Sequence, residues 1–263
     1  MKTSIMMVTY RKDIDFARFA FAAITKFATG FHEVVVVVPE VDVALFKVAA
    51  EPHGFRVVGF DERAGCGMLH HMVKILEADL ICPGADAILH LDADCIFKAA
   101  VTPDDYFDGA RPIIYRQRYE DFKSCDSRYS WKKCVLDATG IDPEWETMCR
   151  HPSVYLCEVY ALTRRMIQDH VLKDWREYIL GCRNAYPQTF AEFPTLGAVA
   201  IKVYEERYAW VDIVPAGATG WRLVPEQPPE KMLCCWSHGG TEMVNDRHPG
   251  QTARQAIEEI LGA

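Results

Sequence analysis

The chain has 263 residues, of which 50% are hydrophobic and 11% aromatic, enough material to bury a substantial core unaided. Its formal charge of −8 argues against nucleic acid or an anionic membrane surface as the main partner, since both carry the same sign. The longest apolar runs fall short of the roughly 20 residues that span a bilayer, and the run after Ser4 is too short for a secretory signal, so no membrane span and a cytoplasmic location are expected. Ten cysteines contain no Cys-x-x-Cys pair, which indicates neither a zinc knuckle nor a disulfide framework.

Residues 4–10 read as a strand, and the spacing of Ile14, Ala17, Phe21, Ile24 and Phe27 predicts an amphipathic helix from Asp13 to Phe27, closed by Gly30. The five consecutive valines before Pro39 are β-branched and suit a strand buried on both faces. A short helix over 42–50, a strand over 55–60 with Asp61-Glu62 at its end, and a helix over 68–78 follow. The strand at 87–91 completes a β-α-β-α-β-α-β order within about ninety residues. Such an order implies an α/β fold with a mostly parallel sheet, right-handed crossovers and helices on both faces. One domain over 1–263 is expected, with a mostly parallel half at 1–100 and a mixed-strand half at 101–263.

In the second half, Pro112–Arg116 and Val154–Leu162 read as strands, and residues 117–150 as an irregular polar and aromatic cover over a site. Thr163–Leu180 reads as a single helix, and the segment around Glu192 runs into a helix through Tyr204. Cys234-Cys235-Trp236-Ser237-His238-Gly239-Gly240 ends an apolar run in a histidine and two glycines, and Thr252–Leu261 is a terminal amphipathic helix.

The candidate chemistry begins at Asp92 and Asp94, where an apolar strand stops in two carboxylates. If the chain stays extended there, alternation puts both on one side about 7 Å apart at their Cα atoms, close enough to share a cation. A pair of carboxylates without a Cys or a close His partner suits Mg²⁺ or Mn²⁺, which keep waters and take further ligands from phosphates. The plain alternative is a solvated turn. Asp13-Ile14-Asp15 repeats the pattern at a helix start, where acids cap. Ligands of open α/β sheets bind at the carboxyl ends of strands, which gathers Thr9-Tyr10-Arg11, Asp61-Glu62 and Asp92-Ala93-Asp94 on one edge. Neither Gly-x-Gly-x-x-Gly nor a Gly-Lys-Ser/Thr loop occurs, so phosphates need another partner. Lys74 is a candidate cation for them, or an ordinary helix lysine. Glu192 sits among apolar residues, either in a buried ion pair or as a group that handles sugar hydroxyls or a proton. His238 is either a plain loop histidine or a third metal ligand.

With its Val8-Thr9-Tyr10 strand end, Leu89-His90-Leu91-Asp92-Ala93-Asp94 motif, Phe190-Ala191-Glu192-Phe193 segment and Trp236-Ser237-His238-Gly239-Gly240, the chain resembles nucleotide-sugar-dependent GT-A glycosyltransferases. The order of motifs is similar to a bacterial and phage-borne group, and more distantly to the retaining galactosyltransferase and glycogenin-like group. The resemblance implies a GT-A-like fold and sugar transfer from a nucleotide diphosphate sugar, such as a UDP-sugar, to an acceptor hydroxyl on a glycan or small molecule, with a modified nucleobase as a further candidate. It implies Asp92, Asp94 and His238 as ligands of Mn²⁺ or Mg²⁺, with Thr9, Tyr10 and Asp61 bordering the nucleotide, so that residues 1–100 are the nucleotide- and metal-binding half and 101–263 the acceptor-binding half with the late metal-ligand loop. Asp94 and Glu192 are then the groups closest to catalysis, Glu192 as the base in an inverting reaction or as an orienting group in a retaining one. The lysine that follows the late His-x-x-Gly in the retaining group has no counterpart in Thr241-Glu242-Met243. A nucleotidylyltransferase would carry a glycine-rich loop after the first strand, and residues 9–18 contain no glycine. A non-catalytic binding protein on the same fold would show metal-dependent affinity without turnover.

Overall fold

The computed structural model describes residues 1–63, 65–122, 129–149, 152–184, 189–213, 231–235, 240–241 and 250–262. In chain order the elements are β1 (Thr3–Val8), α1 (Ile14–Phe27), β2 (Val34–Pro39), α2 (Val43–Ala50), β3 (Arg56–Phe60), α3 (Gly67–Leu76), α4 (Ala78–Ile81), β4 (Ala87–His90) and β5 (Cys95–Phe97). There follow β6 (Phe107–Asp108), β7 (Arg111–Arg118), α5 (Tyr129–Thr139), β8 (Trp145–Glu146), β9 (Ser153–Leu156), α6 (Cys157–Val171), α7 (Trp175–Leu180), α8 (Glu192–Tyr204), β10 (Ala209–Asp212), β11 (Met232–Cys234) and α9 (Ala253–Leu261). They form two compact units that interleave along the chain: Met1–Lys2, Glu62–Leu89 and Tyr106–Pro225 in the first, and Thr3–Asp61, His90–Asp105 and Glu226–Ala263 in the second.

The fold is α/β, with a mostly parallel sheet flanked by helices. In the second unit β1, β2 and β3 pair in parallel, Met6 opposite Val35 and Val37 opposite Val58. Val35 to Val38 are fully buried, as a run without polar positions must be when both faces of a strand are covered. On the side of β1 away from β2, the Leu91 N–H leaves the end of β4 and donates to Met6 O at 3.1 Å. One face of α1 buries Phe16, Ala17, Ala20, Phe21, Ala23 and Ile24, so that Ala17, Phe21 and Ile24 of the expected stripe are covered while Ile14 and Phe27 at the helix ends are only half-buried. The start of α9 is fixed by a capping box between Thr252 and Gln255, and its last carbonyls accept from Lys26 Nζ at 2.8 Å (Leu261 O) and 3.3 Å (Ile260 O). A two-stranded antiparallel ribbon, β5 with β11, completes this unit.

In the first unit β4 neighbours β9, and a second sheet is built on β7, with β10 parallel to it and β6 and β8 antiparallel. Its core centres on Tyr155, stacked on Phe193 at 6.3 Å and beside Tyr160 and Tyr208. Polar clamps tie the helices: Glu77 accepts from Lys74 of α3 and from Arg176 of α7, both at 2.6 Å, and Arg164 of α6 donates to Asp79 of α4 at 2.8 Å.

Three local expectations are corrected here. Val154–Leu162 is not one strand: β9 stops at Leu156 and α6 begins at Cys157, because Val159, Tyr160, Thr163 and Ile167 bury a helical stripe. The helix expected over 163–180 is two, broken at Leu172, whose φ of 56° is left-handed, and restarted by Asp174, whose side chain accepts from the N–H groups of Arg176 and Glu177. Residues 117–150 are not merely a cover, since α5 puts Trp131, Cys134, Val135 and Ala138 into the core. Among the described residues no helix is long and apolar enough to cross a membrane.

Candidate metal and nucleotide site

The strand order of the main sheet, β3-β2-β1-β4-β9, decides where a ligand belongs. From β1 the chain steps outward to β2 and β3, then returns to place β4 on the other side of β1. Open α/β sheets bind ligands beyond the carboxyl ends of their strands at such a reversal. Thr9-Tyr10-Arg11 follows β1 and Leu91-Asp92 follows β4, so two segments of the second unit leave the sheet at this end.

The two aspartates do not continue the strand. β4 ends at His90, and Asp92 to Cys95 form a turn in which the Cys95 N–H donates to Asp92 O at 3.0 Å. This turn, rather than extended alternation, gathers one ligand atom each from Asp92, Asp94 and Cys95 within 4.8 Å of one another. A shared ion with bonds of about 2.1 Å spans ligand pairs up to about 4.2 Å, so small side-chain rotations close the set. The paired carboxylates fit Mg²⁺ or Mn²⁺, which prefer oxygen. The Cys95 thiol is the unexpected member. It donates to Cys234 Sγ at 3.6 Å and lies 3.9 Å from Asp94 Oδ1. That bond to Cys234, burial, and the charges of Asp94 and Asp92 push the Cys95 thiol well above its usual range.

The segment after β1 holds polar groups in defined positions. Thr9 is 5% exposed, its N–H donates to Val37 O at 3.0 Å, and its hydroxyl has no hydrogen-bond partner among the described residues. Tyr10 is exposed at the strand end, and partial burial followed by the Asp13 charge raises its phenol above the usual range. Arg11 is anchored by Asp42, which is 2% exposed and accepts from the Arg11 N–H at 3.0 Å and from Nε at 2.7 Å. Sequence reasoning placed Arg11 on this edge without a role and missed Asp42; the signal available was an acid at the start of the 42–50 helix that turns out not to cap it. Asp61 lies on the same edge at the end of β3, three strand spacings from β4, or about 14 Å. This is too far to share an ion with Asp92.

Neither a protein-family model nor a curated protein sequence matches the chain. Among solved structures, that of mouse xyloside xylosyltransferase 1 in its apo form is similar at a TM-score of 0.43 and 14% identity, over 81% of this chain and 86% of that one.

Two of the remaining candidates belong to the first unit. Lys74 is 19% exposed in its side chain and pairs with Glu77. Burial works against the Glu77 charge, but the bonds from Lys74 and Arg176 overcome it and hold this carboxyl below its ordinary range. Glu192 is the first residue of α8 and 8% exposed, beside the buried Phe190, Ala191 and Phe193. A helix N-terminus favours negative charge, which accounts for an acid in so apolar a sequence. His238 lies outside the described residues, as do Trp236, Ser237 and Gly239.

Proposed function

We propose that the protein is a metal-dependent glycosyltransferase that moves a sugar from a nucleotide diphosphate sugar, a UDP-sugar first, to an acceptor hydroxyl. The observation that carries the reading is the Asp92–Asp94 turn, which brings a carboxylate oxygen of each aspartate within 4.8 Å of the other at the carboxyl end of a parallel strand. A divalent cation bound there, Mn²⁺ or Mg²⁺, supplies positive charge for the diphosphate as its bond to the sugar breaks.

The chain's own residues do the rest. Asp92 and Asp94 hold the ion, with His238 as a further ligand. The Thr9 hydroxyl accepts or donates a bond to the nucleotide, Tyr10 offers a ring face, and Asp61 lies far enough along the edge to accept from ribose hydroxyls. Lys74 is the proposed partner of the phosphates. Glu192 takes the acceptor's proton in an inverting reaction, or orients sugar or acceptor in a retaining one. The acceptor is proposed as a glycan or small molecule, because a net charge of −8 disfavours approach to a nucleic acid duplex.

Calorimetric titration of UDP, with GDP for comparison, tests the reading in Mn²⁺ and again in chelator. UDP binding is expected in Mn²⁺ and not in chelator, and Asp94→Asn is expected to weaken it at least tenfold while leaving thermal unfolding unchanged. Equal affinity with and without metal, or in the variant, overturns the proposal.

A further inference from the structure

The β5–β11 ribbon carries a pair of cysteines that the proposed transfer does not use. Cys95 and Cys234 are direct cross-strand partners. The Lys98 N–H donates to Lys231 O and the Cys235 N–H to Asp94 O, both at 2.8 Å, which marks these as hydrogen-bonded pairs of the antiparallel ladder. Alternation along the ladder then makes Cys95 and Cys234 a non-hydrogen-bonded pair. In such pairs both side chains leave the same face and the Cα atoms are about 4.5 Å apart, inside the span of about 4.4–6.8 Å that a disulfide bridges. The two sulfurs are already 3.6 Å apart, as thiols, so bond formation needs side-chain rotation and no movement of the strands.

We infer that Cys95 and Cys234 are a redox modification site, closing reversibly into a disulfide when the protein meets a peroxide. Cys234 is the half-buried thiol of the pair and Cys95 the buried one, so the oxidant reaches Cys234 first. Hydrogen peroxide converts the Cys234 thiol to a sulfenic acid and releases one water. The Cys95 sulfur then attacks the Cys234 sulfur, and the hydroxyl leaves with the Cys95 proton as a second water. Two thiols are oxidised and one peroxide is reduced. The bond joins residues 139 positions apart, and it withdraws the Cys95 sulfur from its place 3.9 Å from Asp94 Oδ1.

The test uses the full chain, reduced, freed of reductant and kept in chelator, so that it reads the cross-link whether or not the aspartate turn binds nucleotide. After titration with hydrogen peroxide, thiols still reduced are alkylated in denaturant and the digested peptides are mapped by mass. The expected product is one peptide pair joined through Cys95 and Cys234, released by dithiothreitol, absent in Cys234→Ser, and accompanied by a higher unfolding temperature than the reduced protein. Full alkylation of both residues while other cysteines are already oxidised overturns the inference. So does their conversion to sulfinic acid, or a map in which each is joined to a different cysteine.

Discussion

Glu77→Gln removes one charge from the clamp that joins α3 to α7 and keeps the side chain's shape. In the native protein its carboxylate is 8% exposed and accepts from Lys74 Nζ and Arg176 Nε, both at 2.6 Å. Breaking a buried pair by deleting one partner costs about 3–5 kcal/mol, because the other charge is left without compensation. Here that penalty is softened: Arg176 is 47% exposed and regains water, while Lys74 at 19% regains less. A loss of about 2 kcal/mol follows, or about 4–8 °C in the unfolding temperature of a chain this size. The pH dependence has a definite sign. Since the folded protein holds this carboxyl below its unfolded value of about 4.5, its contribution is complete above that value and disappears as pH falls through the lower folded value. The gap between the parent and Glu77→Gln, followed by differential scanning calorimetry, is therefore expected to be full at pH 7 and to narrow below about pH 4.5. A gap under about 1 °C at pH 7, or one that widens on acidification, refutes the assignment of the clamp.

Three further outcomes are expected. Thr9→Val removes a buried hydroxyl that has no hydrogen-bond partner among the described residues, so stability should hold or rise while UDP affinity falls about five- to tenfold, the worth of one hydrogen bond; unchanged affinity in calorimetry removes Thr9 from the site. Asp42→Asn releases the Arg11 guanidinium, which is 63% exposed, so the unfolding temperature should drop only about 2–4 °C; nucleotide affinity should fall several-fold, and an unaffected affinity assigns Arg11 to structure alone. Gly197→Ala places a methyl 2.0 Å from Thr147 Oγ1 and 2.5 Å from its Cβ, where α8 passes a fully packed neighbour; a loss of about 3 kcal/mol in urea unfolding is expected, part of it recovered by adding Thr147→Ala.

The parallel half of the sheet is readable from sequence because strands covered on both faces write themselves as unbroken apolar runs. Met6-Met7-Val8, the valines of β2 and Ala87-Ile88-Leu89 are all of this kind, and the helices between them keep a clear 3.6-residue period. The same signal fails where a strand runs straight into a helix. Val154–Leu162 is apolar or aromatic nearly throughout, and nothing in it except the downstream spacing of Thr163 and Ile167 marks the change at Cys157. At the candidate site, the closeness of Asp92 and Asp94 was legible as a motif, but its cause was not, since a turn and a strand place i and i+2 side chains together in different ways. Long-range pairs left no local trace at all: Arg11 with Asp42, and Cys95 with Cys234 across 139 positions.

The interleaving of the two units has a consequence for how the chain comes to be folded. The second unit draws on three separate stretches, and β5 gains its only ladder partner among the described residues, β11, from the last of them. During synthesis the ribbon that follows the aspartate turn therefore waits until Met232–Cys234 has left the ribosome, long after Cys95–Phe97 has emerged. Contacts that span so much sequence close slowly and leave apolar strands uncovered in the meantime. Neither unit can be excised as a contiguous fragment, and a chain truncated before Met232 is expected to expose Ile96 and Phe97 and to accumulate in aggregates.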